Sequence, residues 1–174
     1  MKLTWFGETA LRIHLGGEVV VIDADRAAEG VDRNELQSGA DHVLELGGAH
    51  APADSRTWKP RPAQRLLEAG DAIRPVDVWS LGDRALLIDP DEDMPLLVLG
   101  GGVPEPGRWM ERAVVLLVGP RLAEPAEALV ASTAPKLIAL AAPEADVEAT
   151  LDAIRDRLDG TGLVALEPGL AVEV

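Results

Sequence analysis

The chain carries one short pattern twice. LGGEVVVIDAD at 15–25 and LGDRALLIDPD at 81–91 share a frame of Leu-Gly, three variable residues, two aliphatic residues, and Ile-Asp-x-Asp. The copies begin 66 residues apart, which is longer than the period of a solenoid repeat. The repeat predicts two β-rich halves, about 1–75 and 76–174, packed on each other in one domain. The alternative is that the two segments share only a common strand ending.

Strand signals surround both copies. Leu11, Ile13 and Leu15 alternate with polar residues, so His14 is predicted to face solvent. Short aliphatic runs bounded by Gly, Pro and Asp predict the remaining strands, and 47–62 reads as a loop. The predicted strands are 3–6, a hairpin over 9–23, 42–46, a hairpin over 77–89, 94–99, 113–118, 136–141, 163–166 and 170–174. The predicted helices are 62–69, 124–132 and 144–158.

Charge and cysteine content exclude several classes of protein. The chain has 16 Lys and Arg against 30 Asp and Glu, a net charge of -14. This charge argues against binding to nucleic acid or to an anionic membrane surface, since both need basic side chains that meet phosphates. Without Cys, the chain has no disulfide, thiol nucleophile or Cys-type zinc site. No secretory signal or membrane-length apolar run is present, so we expect a cytoplasmic protein, and the composition fits a bacterial source.

The two ends of the chain carry the segments MKLTWFGETALRIHLGGEVVVIDAD at 1–25 and VALEPGLAVEV at 164–174. These ends resemble the metallo-β-lactamase superfamily, notably its L-ascorbate-6-phosphate lactonase-like branch, and residues 1–25 resemble the first strand and hairpin of that branch. Residues 112–174 resemble its order of strand, helix, Pro-Lys strand and helix, and VALEPGLAVEV resembles its ending. The resemblance implies a four-layer αβ/βα sandwich of two mixed sheets with helices outside, and places the two hairpins in different sheets.

The resemblance also implies metal ligands at four places, and the residues there do not fit. Relatives carry Thr-His-x-His-x-Asp-His after the strand that aligns with 41–46, because imidazole and carboxylate groups hold divalent ions. Three further ligand positions follow other strands in the branch. In this chain the four places hold Gly47, Ala49, Ala51 and Pro52; Gly7-Glu8; Gly100-Gly101; and Ala141-Ala142.

A substitute metal site has few residues to use. Glu8, His50 and Asp54 are the candidates, with His42 as a fourth, because they belong to the same predicted edge of the sandwich. The alternative is that His50 and Asp54 are solvated loop residues and that His42 is a partly exposed strand residue. A metal site needs about three converging ligands. We therefore expect no cofactor, with zinc or manganese as the alternative.

Two further segments admit a binding role beside a plain structural one. The glycines at 100–102 follow a buried-type strand, where they act as turn residues or cradle an anion. The acidic run from Asp89 to Asp93 resembles a site for a hard cation, although we expect a solvated turn. No P-loop, dinucleotide fingerprint or esterase elbow is present.

A partner surface is predicted around two loop tryptophans. Trp58 lies in SRTWKPRP and Trp109 in PGRWMER, each beside Arg residues. Exposed Trp with flanking Arg is typical of interface hot spots. Trp58, Arg108 and Trp109 are therefore the candidate partner-binding residues, and we expect a homo-oligomer, such as a homodimer.

The sequence favours a non-catalytic protein of metallo-β-lactamase fold that acts by binding a ligand or partner. At its four ligand places the residues that relatives use as ligands are absent, and Glu8 is the one residue there with a metal-binding side chain. The alternative is a lactonase- or phosphodiesterase-like hydrolase that uses a non-standard metal site.

Overall fold

The computed structural model describes residues 1–61, 74–90 and 93–174. Within them the strands are β1 Lys2–Trp5, β2 Leu11–Leu15, β3 Glu18–Ile22, β4 His42–Leu44, β5 Ala51–Pro52, β6 Asp77–Ser80, β7 Ala85–Asp89, β8 Leu96–Leu99, β9 Val114–Val118, β10 Leu137–Ala141, β11 Gly162–Ala165 and β12 Ala171–Glu173. The α-helices are α1 Arg33–Gln37, α2 Ala123–Ser132 and α3 Glu144–Ile154, with 3-10 turns at Ala24–Arg26, Arg108–Arg112 and Arg155–Arg157. The predicted helix over 62–69 lies outside the described residues.

The strands form two mixed sheets, as predicted. One sheet has the order β12-β1-β2-β3-β4 and the other has the order β11-β10-β9-β8-β7-β6-β5. The hairpin over 9–23 forms β2 and β3, and the hairpin over 77–89 forms β6 and β7. The two copies of the repeat therefore lie in different sheets, which confirms the prediction of one hairpin in each.

The halves of the chain exchange edge strands. β12, from the end of the second half, pairs with β1 and aligns Val172 with Leu3. β5, from the first half, pairs with β6 and aligns Ala51 with Trp79. Each sheet is consequently completed by a strand from the other half of the sequence.

The main core lies between the two sheets. Every second residue of β2 points into it, and Ile13 is fully buried against aliphatic residues of the opposite sheet such as Ile88 and Leu116. Burying one such side chain stabilises the fold by roughly 1.5–3 kcal/mol. A second cluster lies between the seven-stranded sheet and the helices α2 and α3. A smaller third cluster packs Leu36 of α1 on Val21.

Two predicted elements end earlier than expected. α3 presents Val147, Leu151 and Ile154 to the core as predicted, but a 3-10 turn replaces its last turn. β4 ends at Leu44, and Leu46 leaves the strand to become a core residue with 2% exposure. Among the described helices, none is long and apolar enough to cross a membrane.

Candidate functional site

Several loops meet at one edge of the sandwich, at the ends of β1, β4, β8 and β9. A Cβ atom added at Gly119 would lie 3.7 Å from Cγ2 of Thr9, so the loops after β9 and β1 touch. A Cβ atom at Gly47 would lie 4.0 Å from Cγ of Arg84, which joins the loop after β4 to the turn between β6 and β7. We call this surface the loop edge. It is the edge at which the sequence places the candidate metal ligands.

The buried carboxylate of Asp23 holds together two loops of the loop edge, those after β1 and β4. Asp23 is 7% exposed and follows β3 directly. One of its oxygens accepts from the hydroxyl of Thr9 at 2.6 Å, and the other accepts from the amide of Leu46 at 2.8 Å. Its own amide donates to the carbonyl of Leu44. These bonds satisfy the carboxylate and fix the entry into the loop after β4.

The side chain of Leu46 packs against Gly100 and so lies between the loops after β4 and β8. A Cβ atom at Gly100 would lie 2.5 Å from Cδ2 of Leu46 and 3.0 Å from Nη2 of Arg84, so a side chain there would force Leu46 or Arg84 to shift. Arg84 Nε donates to the carbonyl of Gly100 at 3.1 Å, and the amide of Gly100 donates to the carbonyl of Arg84 at 2.9 Å. The sequence pattern predicted a turn role for Gly100, and this packing gives its physical cause.

Two of the candidate metal ligands each form a hydrogen bond with a nearby backbone group. His50 Nε2 donates to the carbonyl of Glu45 at 2.8 Å, and Asp54 accepts from the amide of Arg56 at 2.9 Å. Glu8 is exposed in the loop after β1. In the part of the chain that the structure describes, no three His, Cys, Asp or Glu residues are grouped so that they could hold a metal ion. The structure thus does not bring Glu8, His50 and Asp54 together as ligands.

The two histidines on strands lie where the sequence predicted. His14 is exposed on β2, and burial, followed by the charges of Arg12 and Lys2, lowers its pKa below the ordinary value. His42 is partly exposed, and its Nε2 lies 3.1 Å from Oε2 of Glu18. Both residues lie on strands of the five-stranded sheet, away from the loops that follow β8 and β9.

A cavity of about 500 Å³ opens beside Gly100, where the parallel strands β8 and β9 end and α2 begins. Its lining residues are Leu99, Gly100, Gly101, Gly102, Val103, Val118, Pro120, Arg121, Leu122, Glu124, Pro125 and Ala128. Ligands of α/β proteins commonly bind beyond the carboxyl ends of parallel strands. The glycine run pointed to this place in the sequence, but no pattern there indicated Arg121 or Glu124.

The three aromatic residues near the predicted partner surface form a cluster. Trp58 lies edge to face against Trp79 and Trp109, with ring centroids 5.8 and 4.9 Å away. Trp109 lies in a 3-10 turn and is only 5% exposed, and its Nε1 donates to the carbonyl of Ser55 at 2.7 Å. The prediction of an exposed Trp109 is therefore wrong, because the loop that contains Ser55 covers it.

The partner surface remains a prediction, now restricted to Trp58 and Arg108. Arg108 is exposed, and Trp58 is partly exposed beside Trp109. Arg108 directly precedes Trp109 in the same 3-10 turn. The accessible groups of this surface are therefore the side chain of Arg108 and part of the indole of Trp58.

The acidic run begins inside the protein rather than in a solvated turn. Asp89 is 2% exposed at the end of β7. It accepts from the amide of Arg61 at 3.1 Å, and its carboxylate lies 3.4 Å from Nε of Arg61. Burial raises the pKa of Asp89, while the bonds and charge of Arg61 oppose the rise. The expectation of solvation is wrong for Asp89, and residues 91 and 92 lie outside the described residues.

Comparison of the chain with protein-family models, with curated proteins and with solved structures returned no match.

Proposed function

We propose that this chain is a protein of metallo-β-lactamase-like fold that lacks the metal ligands and acts by binding a ligand or partner rather than by catalysis. The two mixed sheets, with a related hairpin in each, are compatible with that fold. The order of elements after β9, which alternates strands and helices, follows the order that the sequence resemblance implies.

The packing of Leu46 on Gly100 carries the proposal. In the relatives, the loops after the corresponding strands supply metal ligands. In this chain the same loops bring together a fully apolar side chain, a glycine and the guanidinium of Arg84. The contact between Leu46 and Gly100 supplies neither a Lewis acid nor a bound nucleophile.

The cavity beside Gly100 is the site where we propose that a ligand binds. A volume of about 500 Å³ is within the usual range of small-molecule sites. Aliphatic and proline side chains form much of its wall, and three glycines and two charged residues form the rest. Such a mixture suits a small organic molecule better than a macromolecular surface.

Two measurements test the proposal. Elemental mass spectrometry is done on untagged protein that was purified without chelator and then offered Zn²⁺, Mn²⁺ and Fe²⁺. A thermal-shift screen of small metabolites then looks for compounds that raise the unfolding temperature, as any ligand of the folded state must. We expect less than about 0.1 metal ion per chain, well below the full occupancy of a structural or catalytic site, and at least one stabilising compound.

The alternative is the metal-dependent hydrolase. Nearly one metal ion per chain, lost in a Glu8→Gln and His50→Gln double variant, would overturn the proposal and favour the hydrolase. An Asp41→Asn variant serves as the control, since Asp41 lies in the loop before β4 and binds the amide of Val19.

A further inference from the structure

The cavity beside Gly100 contains two opposite charges. Arg121 and Glu124 both line it, and the other ten lining residues are uncharged. Arg121 follows β9, and Glu124 lies in the first turn of α2. The two residues are three positions apart, and both side chains are exposed to the solvent in the cavity mouth.

Among the described residues, neither of these two side chains has an ion-pair partner. Among the ion pairs of the described residues, none includes Arg121 or Glu124, and the two do not pair with each other. The hydrogen bond that Arg121 makes comes from its backbone amide, which donates to Asp146 at 3.0 Å. Within the described residues, the guanidinium of Arg121 and the carboxylate of Glu124 therefore keep their hydrogen-bonding capacity available to a ligand.

From this arrangement, and resting on the binding function proposed above, we infer that the ligand is a small zwitterion with an apolar side chain, of the α-amino acid type. Its carboxylate would pair with the guanidinium of Arg121, and its ammonium would pair with Glu124. Hydrogen bonds between ionised groups are the stronger kind, and Arg matches a carboxylate in a planar, two-point geometry.

The apolar residues of the cavity wall indicate that the ligand also has an apolar side chain. Leu99, Val118 and Leu122 line the cavity but are at most 3% exposed, whereas Val103, Pro125 and Ala128 contribute exposed or partly exposed apolar surface. A ligand with a branched aliphatic side chain would bury apolar area against them. A ligand with only one charge would leave either Arg121 or Glu124 without a counterpart.

L-leucine and two matched probes test this inference by calorimetric titration. Isocaproate is leucine without its ammonium group, and isoamylamine is leucine without its carboxylate. We expect leucine to bind at least about tenfold more tightly than either probe, the effect of about 1.4 kcal/mol that one charged hydrogen bond can provide.

Two variants assign each charge to its residue. Glu124→Gln should remove the advantage of leucine over isocaproate, and Arg121→Gln should remove its advantage over isoamylamine. Glu127→Gln and Arg33→Gln are the matched controls, because Glu127 lies on the same helix, Arg33 is an exposed arginine of α1, and neither lines the cavity. Both controls should keep the wild-type preference, and unfolding curves verify that all four variants fold.

Equal affinity for the three molecules, or equal effects of Glu124→Gln and Glu127→Gln, would overturn the inference. Absence of leucine binding at millimolar concentration would overturn it as well. If the thermal-shift screen nevertheless yields a ligand of another charge type, the binding function stands and only the zwitterion is wrong. If the screen is empty and the chain takes up metal, both proposals fail.

Discussion

Asp23 and Asp89 occupy the same position in the two copies of the repeat, and each accepts a backbone N–H from a distant loop. Leu46 donates to Asp23 at 2.8 Å, and Arg61 donates to Asp89 at 3.1 Å. Both carboxylates are buried at the end of a central strand. In each copy of the repeat, the Asp that follows Ile thus binds a loop to the end of a strand, once in each sheet.

Replacement of Asp23 by Asn should destabilise the fold. Asn has one acceptor oxygen where Asp23 uses two, so either the hydroxyl of Thr9 or the amide of Leu46 faces an NH₂ group. We expect a loss of about 1–3 kcal/mol in the free energy of unfolding, measured by urea denaturation. Asp25→Asn, an exposed change two residues later, is the control and should leave that free energy nearly unchanged.

The pH dependence of stability should change in Asp89→Asn. Burial raises the pKa of Asp89, so the folded state holds its proton more tightly than the unfolded state. The wild type should therefore lose stability relative to Asp89→Asn as the pH rises from about 4 through the raised pKa. Urea unfolding at a series of pH values measures this difference.

The ion pair with Arg61 forms only as Asp89 ionises, so its contribution changes with pH and is already part of the net shift in the pKa of Asp89. Asp83→Asn, at the exposed turn of the same hairpin, is the control and should follow the wild type at every pH. A wild type that gains stability relative to Asp89→Asn as the pH rises would contradict the direction of the pKa shift.

Gly100→Ala should disturb the loop edge through its contact with Leu46. The added methyl group would lie 2.5 Å from Cδ2 of Leu46, and such overpacking costs about 1–3 kcal/mol. Gly102→Ala is the matched control, since its Cβ would meet no atom within 4 Å. A Leu46→Ala change should relieve part of the cost in the double variant, so that the two effects on the unfolding free energy are not additive. Additive effects would show that Leu46 is not what excludes a side chain at Gly100.

Trp109→Ala should unfold the chain more easily without changing its oligomeric mass. The indole is buried and bonded to Ser55, and removal of a buried aromatic side chain costs about 3–5 kcal/mol. Trp109→Phe should cost less, because it keeps most of the packing and loses the N–H donor. Urea denaturation gives the stability and light scattering gives the mass. A lower mass at unchanged stability would restore Trp109 as an interface residue.

The hairpins and the core strands could be predicted because their signals are local. Alternation along β2 indicated that Ile13 points inward and His14 outward, and both predictions are confirmed. Two glycines between aliphatic strands indicated the turn at Gly16-Gly17, since glycine adopts the positive φ angles that this turn requires.

The burial of individual side chains in loops could not be predicted in the same way. Trp109 is covered by Ser55, a residue 54 positions earlier, and Asp89 is covered by Arg61, 28 positions earlier. Both residues have charged neighbours in the sequence, and such a local composition is typical of exposed positions. The cavity at Arg121 and Glu124 was missed for a similar reason, because β8 supplies one wall and the start of α2 supplies the other.

The exchange of edge strands sets the order in which the protein can be completed during synthesis. Most strands of the five-stranded sheet are made among the first 44 residues, but its edge beside β1 stays open until residues 171–173 have left the ribosome. Until then the backbone of β1 has an unpaired side, and a neighbouring nascent chain could add to it. Deletion of 171–173 should therefore cause more aggregation during expression than the loss of stability from one short strand would explain.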